Sequence, residues 1–212
     1  MKSEGKETTG QRIGASTWVC ETCGVQSEPC VTPGECPICA DERQYVAWSG
    51  QQWRAPDQVA LDREIVFDDE HGVITMVLAP AFAINQRSFL IPHPEGQGMW
   101  ECLATVTDKA VKMIDTLGGV TEIAISHPHF YGAMAEWSAA LGDVPIYVHA
   151  NGREWAGRRS PNLRFWEGPS LHLRDGIDLV HLGSHFAGSA GLLWSKGRAR
   201  VAHCFLAMLS RS

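Results

Sequence analysis

Four cysteines near the start of the sequence have the spacing of metal ligands. Cys20 and Cys23 form one CxxC unit, and Cys36 and Cys39 form a second after twelve intervening residues. A CxxC turn directs two thiolates toward one point, and two such turns supply the tetrahedral four-sulfur set that zinc accepts readily. We expect one metal ion there, with zinc as the first expectation and iron as the alternative, because both accept four thiolates. Reduced core thiols are the competing interpretation.

A second group of candidate ligands consists of histidines further along the chain. His127 and His129 flank Pro128 after a short apolar segment, and His185 follows another such segment in GSHFAGS. Residues two apart in extended chain point to the same side, and Pro128 is expected to keep this stretch from becoming helical. Three imidazoles with an open fourth position make a catalytic type of metal site, for zinc or iron. His181 is the competing choice for the third ligand.

The elements that must position these side chains alternate between strands and helices. Apolar segments bounded by turn residues predict strands, and apolar residues at helical spacing predict helices. Strands are predicted at 73–79, 87–91, 122–126, 144–149, 177–182 and 191–194, helices at 106–117 and 132–141, and a turn at 96–98. This alternation predicts an α/β or α+β domain.

The chain divides into three parts by composition. Residues 1–16 are charged, lack periodicity and are expected to form a flexible tail. Residues 17–50 hold five of the seven cysteines and are too few to build an adequate core, so we expect a metal to stabilise them. Residues 53–212 form the main domain.

Net charge and the distribution of apolar residues limit the kinds of partner and location expected for the protein. The net charge of -6 argues against nucleic acid, since phosphate binding needs clustered lysine and arginine. No apolar run of eighteen residues indicates a membrane span, and the polar first eleven residues do not resemble a secretory signal. We expect a cytoplasmic protein that acts on a small-molecule substrate, and the oligomeric state stays open.

The cysteine segment resembles the paired knuckles of rubredoxins. The matching stretches are WVCETCG and ECPICADERQYV within residues 18–46, with Trp18 where the pattern has tyrosine. Rubredoxins carry iron for electron transfer, and related short modules carry structural zinc, so the resemblance implies either metal.

The main domain resembles the metallo-β-lactamase superfamily from Val73 to Trp194. The resemblance is carried by a strand–HxH–helix segment, the later GxHxxGS and the lead-in FLIPHPEGQGMWE. It implies a four-layer αββα sandwich with metals at one edge, in a superfamily of mostly hydrolases that also includes oxygenases and redox enzymes. By this match, His127, His129 and His185 are the histidines of the first metal position.

The chain departs from the family motif HxHxDH at two positions. Tyr131 stands where the aspartate belongs and Gly132 where the last histidine belongs. Because those two residues build the second metal position, we expect a mononuclear site. Tyr131 is then a candidate acid or substrate hydrogen-bond donor, and a tyrosine that only closes the pocket is the alternative.

A further departure lies at the C-terminus. No aspartate or glutamate follows Asp178, although the family continues to a metal-bridging aspartate and a last histidine. The hypothesis is that the domain is incomplete because the chain is truncated or frame-shifted, so that its last fifteen residues are not family sequence.

Three functions remain open. The first is a metal-dependent hydrolase with a three-histidine site. The second is a redox protein in which four-cysteine iron passes electrons to a metal on the histidines. The third is a non-catalytic binding module or inactive relative, in which a zinc knuckle and a degenerate pocket serve recognition or stability.

Overall fold

The computed structural model describes residues 16–41, 45–70, 72–184, 186–195 and 203–205. The predicted tail therefore lies outside the described residues except for Ser16, which pairs with Cys30. No helix in the described ranges has the length and apolar character needed to cross a membrane.

Three helices and thirteen strands make up the described elements. The helices are α1 (Pro56–Leu61), α2 (Asp108–Thr116) and α3 (Met134–Ala140), and two 3-10 turns occupy Pro128–Phe130 and Ala150–Trp155. The strands are β1 (Val19–Cys20), β2 (Trp53–Arg54), β3 (Glu64–Glu70), β4 (Val73–Ala79), β5 (Arg87–His93), β6 (Gly96–Trp100), β7 (Val120–Ala124), β8 (Ile146–His149), β9 (Leu163–Trp166), β10 (Ser170–Arg174), β11 (Ile177–His181), β12 (Ala190–Trp194) and β13 (His203–Phe205).

The larger sheet has seven strands in the order β3 to β9. Strands β3 to β6 pair antiparallel, whereas β6 to β9 pair parallel. The parallel half brings the carboxyl ends of β6, β7, β8 and β9 to one edge. In open α/β sheets that edge is where ligands bind.

A second sheet of four antiparallel strands, β10 to β13, packs against the first. Side chains alternate between the two faces of the larger sheet, as the strand period requires. On β5, Leu90 joins the core under the helices, whereas the adjacent Ile91 joins the core between the sheets. The two sheets therefore form a sandwich, with the described helices outside the larger one.

The strands and helices predicted from the sequence are present, although their ends differ by a few residues. Helix α2 begins at Asp108 because the Thr107 side chain caps it, accepting a hydrogen bond from Ala110 N–H at 3.2 Å. The short strands β1, β2 and β13 were not predicted, and β3, β9 and β10 were missed because polar residues interrupt their apolar pattern.

The predicted turn at 96–98 is wrong. Gly96 begins β6, and the chain turns at residues 94–95 instead. Gly98 lies inside the strand, where an added Cβ would stand 3.0 Å from the Glu122 Oε1 atom. Glycine occurs in this strand because the Glu122 side chain approaches the backbone closely, and not because the chain turns there.

Candidate metal centres

The two CxxC units form matching turns. Gly24 N–H donates to the Cys20 carbonyl at 2.8 Å, and Ala40 N–H donates to the Cys36 carbonyl at 2.9 Å. Gly24 has a φ of +81°, a conformation that suits glycine, so the chain can reverse directly behind the first pair. Each turn presents its two thiols from the same side.

The structure brings the four predicted cysteines together. Their sulfur atoms all lie within 4.8 Å of one another, and all four residues are buried. The Cys20–Cys39 and Cys23–Cys36 sulfur pairs are each 3.7 Å apart. A tetrahedral zinc with Zn–S bonds of about 2.3 Å sets sulfur atoms roughly 3.8 Å apart, so the donor set fits that ion. Cys30 does not belong to the cluster.

The four thiol groups are electrostatically coupled. Hydrogen bonds with Cys23, Cys36 and Cys39 lower the pKa of the Cys20 thiol, while hydrogen bonds with Cys20, Cys36 and Cys39 raise the pKa of Cys23. A bound cation would favour the thiolate form at all four positions.

The structure also brings His127 and His129 together. Both residues are 3% exposed, and their ring centroids are 5.1 Å apart. The His127 Nδ1 atom accepts a hydrogen bond from the His129 backbone N–H at 3.3 Å. This contact leaves Nε2 as the nitrogen through which His127 can bind a metal.

The expectation that Pro128 prevents helical structure is wrong. His127 is extended, with φ -166° and ψ 174°, but a 3-10 turn occupies Pro128–Phe130. Proline is well suited to the first position of a helical turn, because its N–H would be unpaired there and its φ is already helical. The turn, and not an extended strand, therefore sets the angle between the two imidazoles.

His185, the predicted third ligand, lies outside the described residues. Its neighbour Phe186 is buried, with its ring centroid 5.4 Å from that of His129 and 6.0 Å from that of His127. The segment after β11 therefore reaches the histidine pair.

Tyr131 ends the 3-10 turn and is 2% exposed. Its hydroxyl has no hydrogen-bond partner among the described residues and lies where a side chain at Gly152 would stand. Burial raises the pKa of Tyr131, and the nearby Glu101 adds to the effect. The phenol is therefore protonated at neutral pH, as a proton donor must be.

Glu101 was missed by the sequence analysis. It directly follows β6, it is 1% exposed, and its Oε2 atom accepts a hydrogen bond from Ser126 N–H at 3.2 Å. Burial raises the pKa of this carboxyl to about 8. The only local signal in the sequence was an acidic residue directly after the apolar pair Met99–Trp100.

An open cleft of about 320 Å³ lies at the same edge of the larger sheet. It is lined by His149, Ala150, Asn151, Glu167, Gly168 and His181. The His149 and His181 rings stack with centroids 3.8 Å apart and an angle of 3° between their planes. Burial lowers the pKa of His149, and the stacked His181 also lowers it.

The strand order explains why the cleft adjoins the histidine pair. His127 follows β7, His149 ends β8 and Glu167 follows β9, and these three strands are parallel neighbours. The backbone of residues 151–152 lies close to Gly188, since an added Cβ there would clash with the Gly152 nitrogen and stand 2.9 Å from the Asn151 carbonyl carbon. The described residues thus place a polar cleft beside the candidate metal ligands.

No protein-family model matches the chain. The uncharacterized protein YmaE of Bacillus subtilis (strain 168) is 39% identical to this chain over 184 residues. The match covers 85% of this chain and 67% of YmaE.

A solved structure shows a similar fold at low sequence identity. VMB-1 is 11% identical, with a TM-score of 0.52 over 63% of this chain and 67% of VMB-1. The metallo-β-lactamase DIM-1 is also 11% identical, with a TM-score of 0.49 over 63% of this chain and 66% of DIM-1. The matched part is about two thirds of the length of each of these relatives. The predicted metallo-β-lactamase-like fold, with a four-cysteine cluster near its N-terminus, is confirmed.

Proposed function

Because this chain belongs to the family of YmaE and has a metallo-β-lactamase-like fold, we propose that it is a metal-dependent hydrolase with one catalytic metal on His127, His129 and His185. The four cysteines hold a second, structural metal, for which zinc is the first choice. Thiolate ligands of this kind persist in a reducing compartment, which supports a cytoplasmic location.

The proposal depends above all on the buried histidine pair. Zn–N bonds of about 2.0–2.1 Å place two imidazoles on one tetrahedral metal with their centroids roughly 5 Å apart. The observed separation for His127 and His129 is 5.1 Å. Two imidazoles that are almost fully buried and correctly spaced support a shared ligand role.

When bound, a metal at this site supplies a Lewis acid that activates water toward an ester, thioester or amide carbonyl. The chain itself positions the reacting groups. Glu101 fixes the Ser126 amide and so holds the backbone that leads into His127. Tyr131 is the group that donates a proton or a hydrogen bond to the substrate, and the cleft beside His149 holds the remainder of a small molecule.

Metal counting combined with hydrolysis assays tests the proposal. Elemental analysis of the purified full chain should find two metals in the wild type, one in His127→Ala and one in Cys36→Ser. Chromogenic esters, thioesters, lactones and β-lactams form the substrate panel, and His127→Ala should abolish any turnover found. A single metal per chain that is unaffected by His127→Ala would instead indicate a non-catalytic module.

Electron transfer is the second candidate function, because the cysteine cluster packs beside the histidines. Phe186 belongs to the same buried cluster as the four cysteines and contacts both imidazoles. Iron on four thiolates would give the oxidised protein a red colour, whereas zinc leaves it colourless. A colourless protein with zinc at the cysteines eliminates this alternative.

A further inference from the structure

The cysteine cluster forms one wall of the histidine site. Phe186 is 2% exposed and packs in one buried cluster with the four cysteines, Val25 and Ile38. Its ring also packs against that of His129, at a centroid distance of 5.4 Å and with the planes at 72°. Phe186 therefore packs with both the four-cysteine cluster and the histidine pair.

Gln86 makes a polar connection between the same two sites. It is 3% exposed and directly precedes β5. Its side-chain amide donates to the His129 carbonyl at 2.7 Å and to the Cys23 carbonyl at 3.3 Å. One NH₂ group thus joins the backbone of a cysteine to the backbone of a histidine.

Backbone packing allows little independent movement at this contact. A Cβ added to Gly24 would stand 2.8 Å from the Gln86 amide nitrogen, and one added to Gly132 would stand 2.6 Å from the Gly24 carbonyl oxygen. The first CxxC turn therefore lies directly against Gln86 and against the residue that follows Tyr131. Displacement of that turn must displace its neighbours, because packed interiors have little free volume.

We propose that metal binding by the four cysteines sets the position of the His127–Tyr131 segment through the positioning residue Gln86. The inference rests on the part of the proposed function that gives the four cysteines a metal, and it goes beyond that function because it concerns where the imidazoles lie and holds whether or not they bind a metal.

The physical basis is that few interactions other than metal binding stabilise the cysteine segment. Without a cation, the four thiols interact only through weak contacts such as the 3.7 Å sulfur pairs. Small modules of this kind gain their folding free energy from the metal. Filling the site fixes the Cys23 carbonyl, Gln86 transmits that position to the His129 carbonyl, and the 3-10 turn moves with it.

The experiment monitors the imidazoles directly in the full chain. Metal-free protein with ¹⁵N-labelled histidine is titrated with Cd²⁺, a soft ion that thiolates select, while thiolate–cadmium absorption reports filling of the cysteine site. We expect the ring nitrogen signals of His127 and His129 to shift as the cysteines fill. In Gln86→Met, which keeps the side-chain length but lacks both amide donors, the absorption change should persist and the shifts should be lost.

Two further measurements complete the test. Gln58→Ala, which removes an exposed glutamine from α1, should behave like the wild type. In the wild type, filling the cysteines first should tighten Co²⁺ binding at the histidines by a factor of about 5 to 150, the usual range for coupled sites. The inference would be overturned if the imidazole signals do not shift with Cd²⁺ in the wild type, or if they shift equally in Gln86→Met. If Gln86→Met does not fold, the wild-type titration alone decides.

The outcomes separate the two proposals. Imidazoles that shift with Cd²⁺ but never bind Co²⁺ would support the positional coupling while contradicting the hydrolase site. Imidazoles that bind Co²⁺ with the same affinity before and after Cd²⁺ would contradict the coupling alone.

Discussion

Glu101 has an unusual environment for a carboxyl group, because it is buried directly behind the histidine segment. Its Oε1 atom has no hydrogen-bond partner among the described residues, and burial raises its pKa to about 8. It also has a φ of +69°, which is uncommon for a residue with a side chain. Strained, buried and titratable residues concentrate at functional sites.

The raised pKa predicts how stability depends on pH. Between the ordinary value of 4.5 and about 8, the folded protein holds a proton on Glu101 that the unfolded chain releases. The free energy of unfolding should therefore fall as pH rises through this window, by up to about 1.4 kcal/mol per pH unit from this group. Glu101→Gln should lose that slope in denaturant titrations, whereas exposed Glu154→Gln should retain it. Equal slopes in all three proteins would refute the assignment.

For Tyr131, a catalytic role and a purely structural role predict different effects of mutation. Removing its hydroxyl should change the free energy of unfolding by only about 1 kcal/mol, because no described group bonds to it. If the phenol donates a proton to substrate, kcat of Tyr131→Phe should fall by about 10²- to 10⁴-fold. Tyr147→Phe is the matched control, on β8. Unchanged kcat in Tyr131→Phe would mean that the ring only closes the pocket.

At the scale of elements, the contact between the first CxxC turn and the segment after Tyr131 depends on a missing side chain. Gly132→Ala would place a Cβ 2.6 Å from the Gly24 carbonyl oxygen, which is backbone and cannot rotate away. Overpacking of this kind costs about 1–3 kcal/mol of stability. Thermal melts should show a lower Tm for Gly132→Ala than for Gly157→Ala, where no atom lies within 4 Å of the added Cβ. Equal Tm values would show that the turn shifts freely.

The sequence revealed those elements whose residues follow a simple period. Strand β4, which is VITMVLA, was predicted with its observed ends, since its apolar character is continuous. Strand β3, which is EIVFDDE, was missed because only one of its residues is buried. The CxxC units were found because ligand spacing is local in sequence.

The parts of the site that the sequence did not reveal depend on contacts between distant segments. Gln86 lies 63 residues from Cys23 and 43 from His129, and no local pattern links them. The stacking of His149 on His181 depends on two strands from different sheets. Pro128 was misread because proline both opens helical turns and interrupts helices, and only the surrounding fold decides between the two.

At the scale of the whole molecule, one ion network joins the two sheets. Arg174 on β10 donates to Glu122 on β7 and, at 2.6 Å, to the Glu95 carboxylate. Glu122 is 2% exposed, and its Oε1 lies 3.6 Å from the His93 Nε2 atom. The arginine thus supplies the charge that balances a carboxylate buried between the layers.

Arg174→Met should therefore destabilise the sandwich strongly. A buried charge that loses its partner costs about 3–5 kcal/mol, far more than the net contribution of an exposed pair. Denaturant unfolding should show this loss, and adding Glu122→Gln to Arg174→Met should recover much of it by removing the unpaired charge. Arg164→Met is the control, because among the described residues that exposed guanidinium donates only to nearby backbone carbonyls. If Arg174→Met unfolds at the same denaturant concentration as Arg164→Met, the packing of apolar side chains between the sheets holds them together without the ion network.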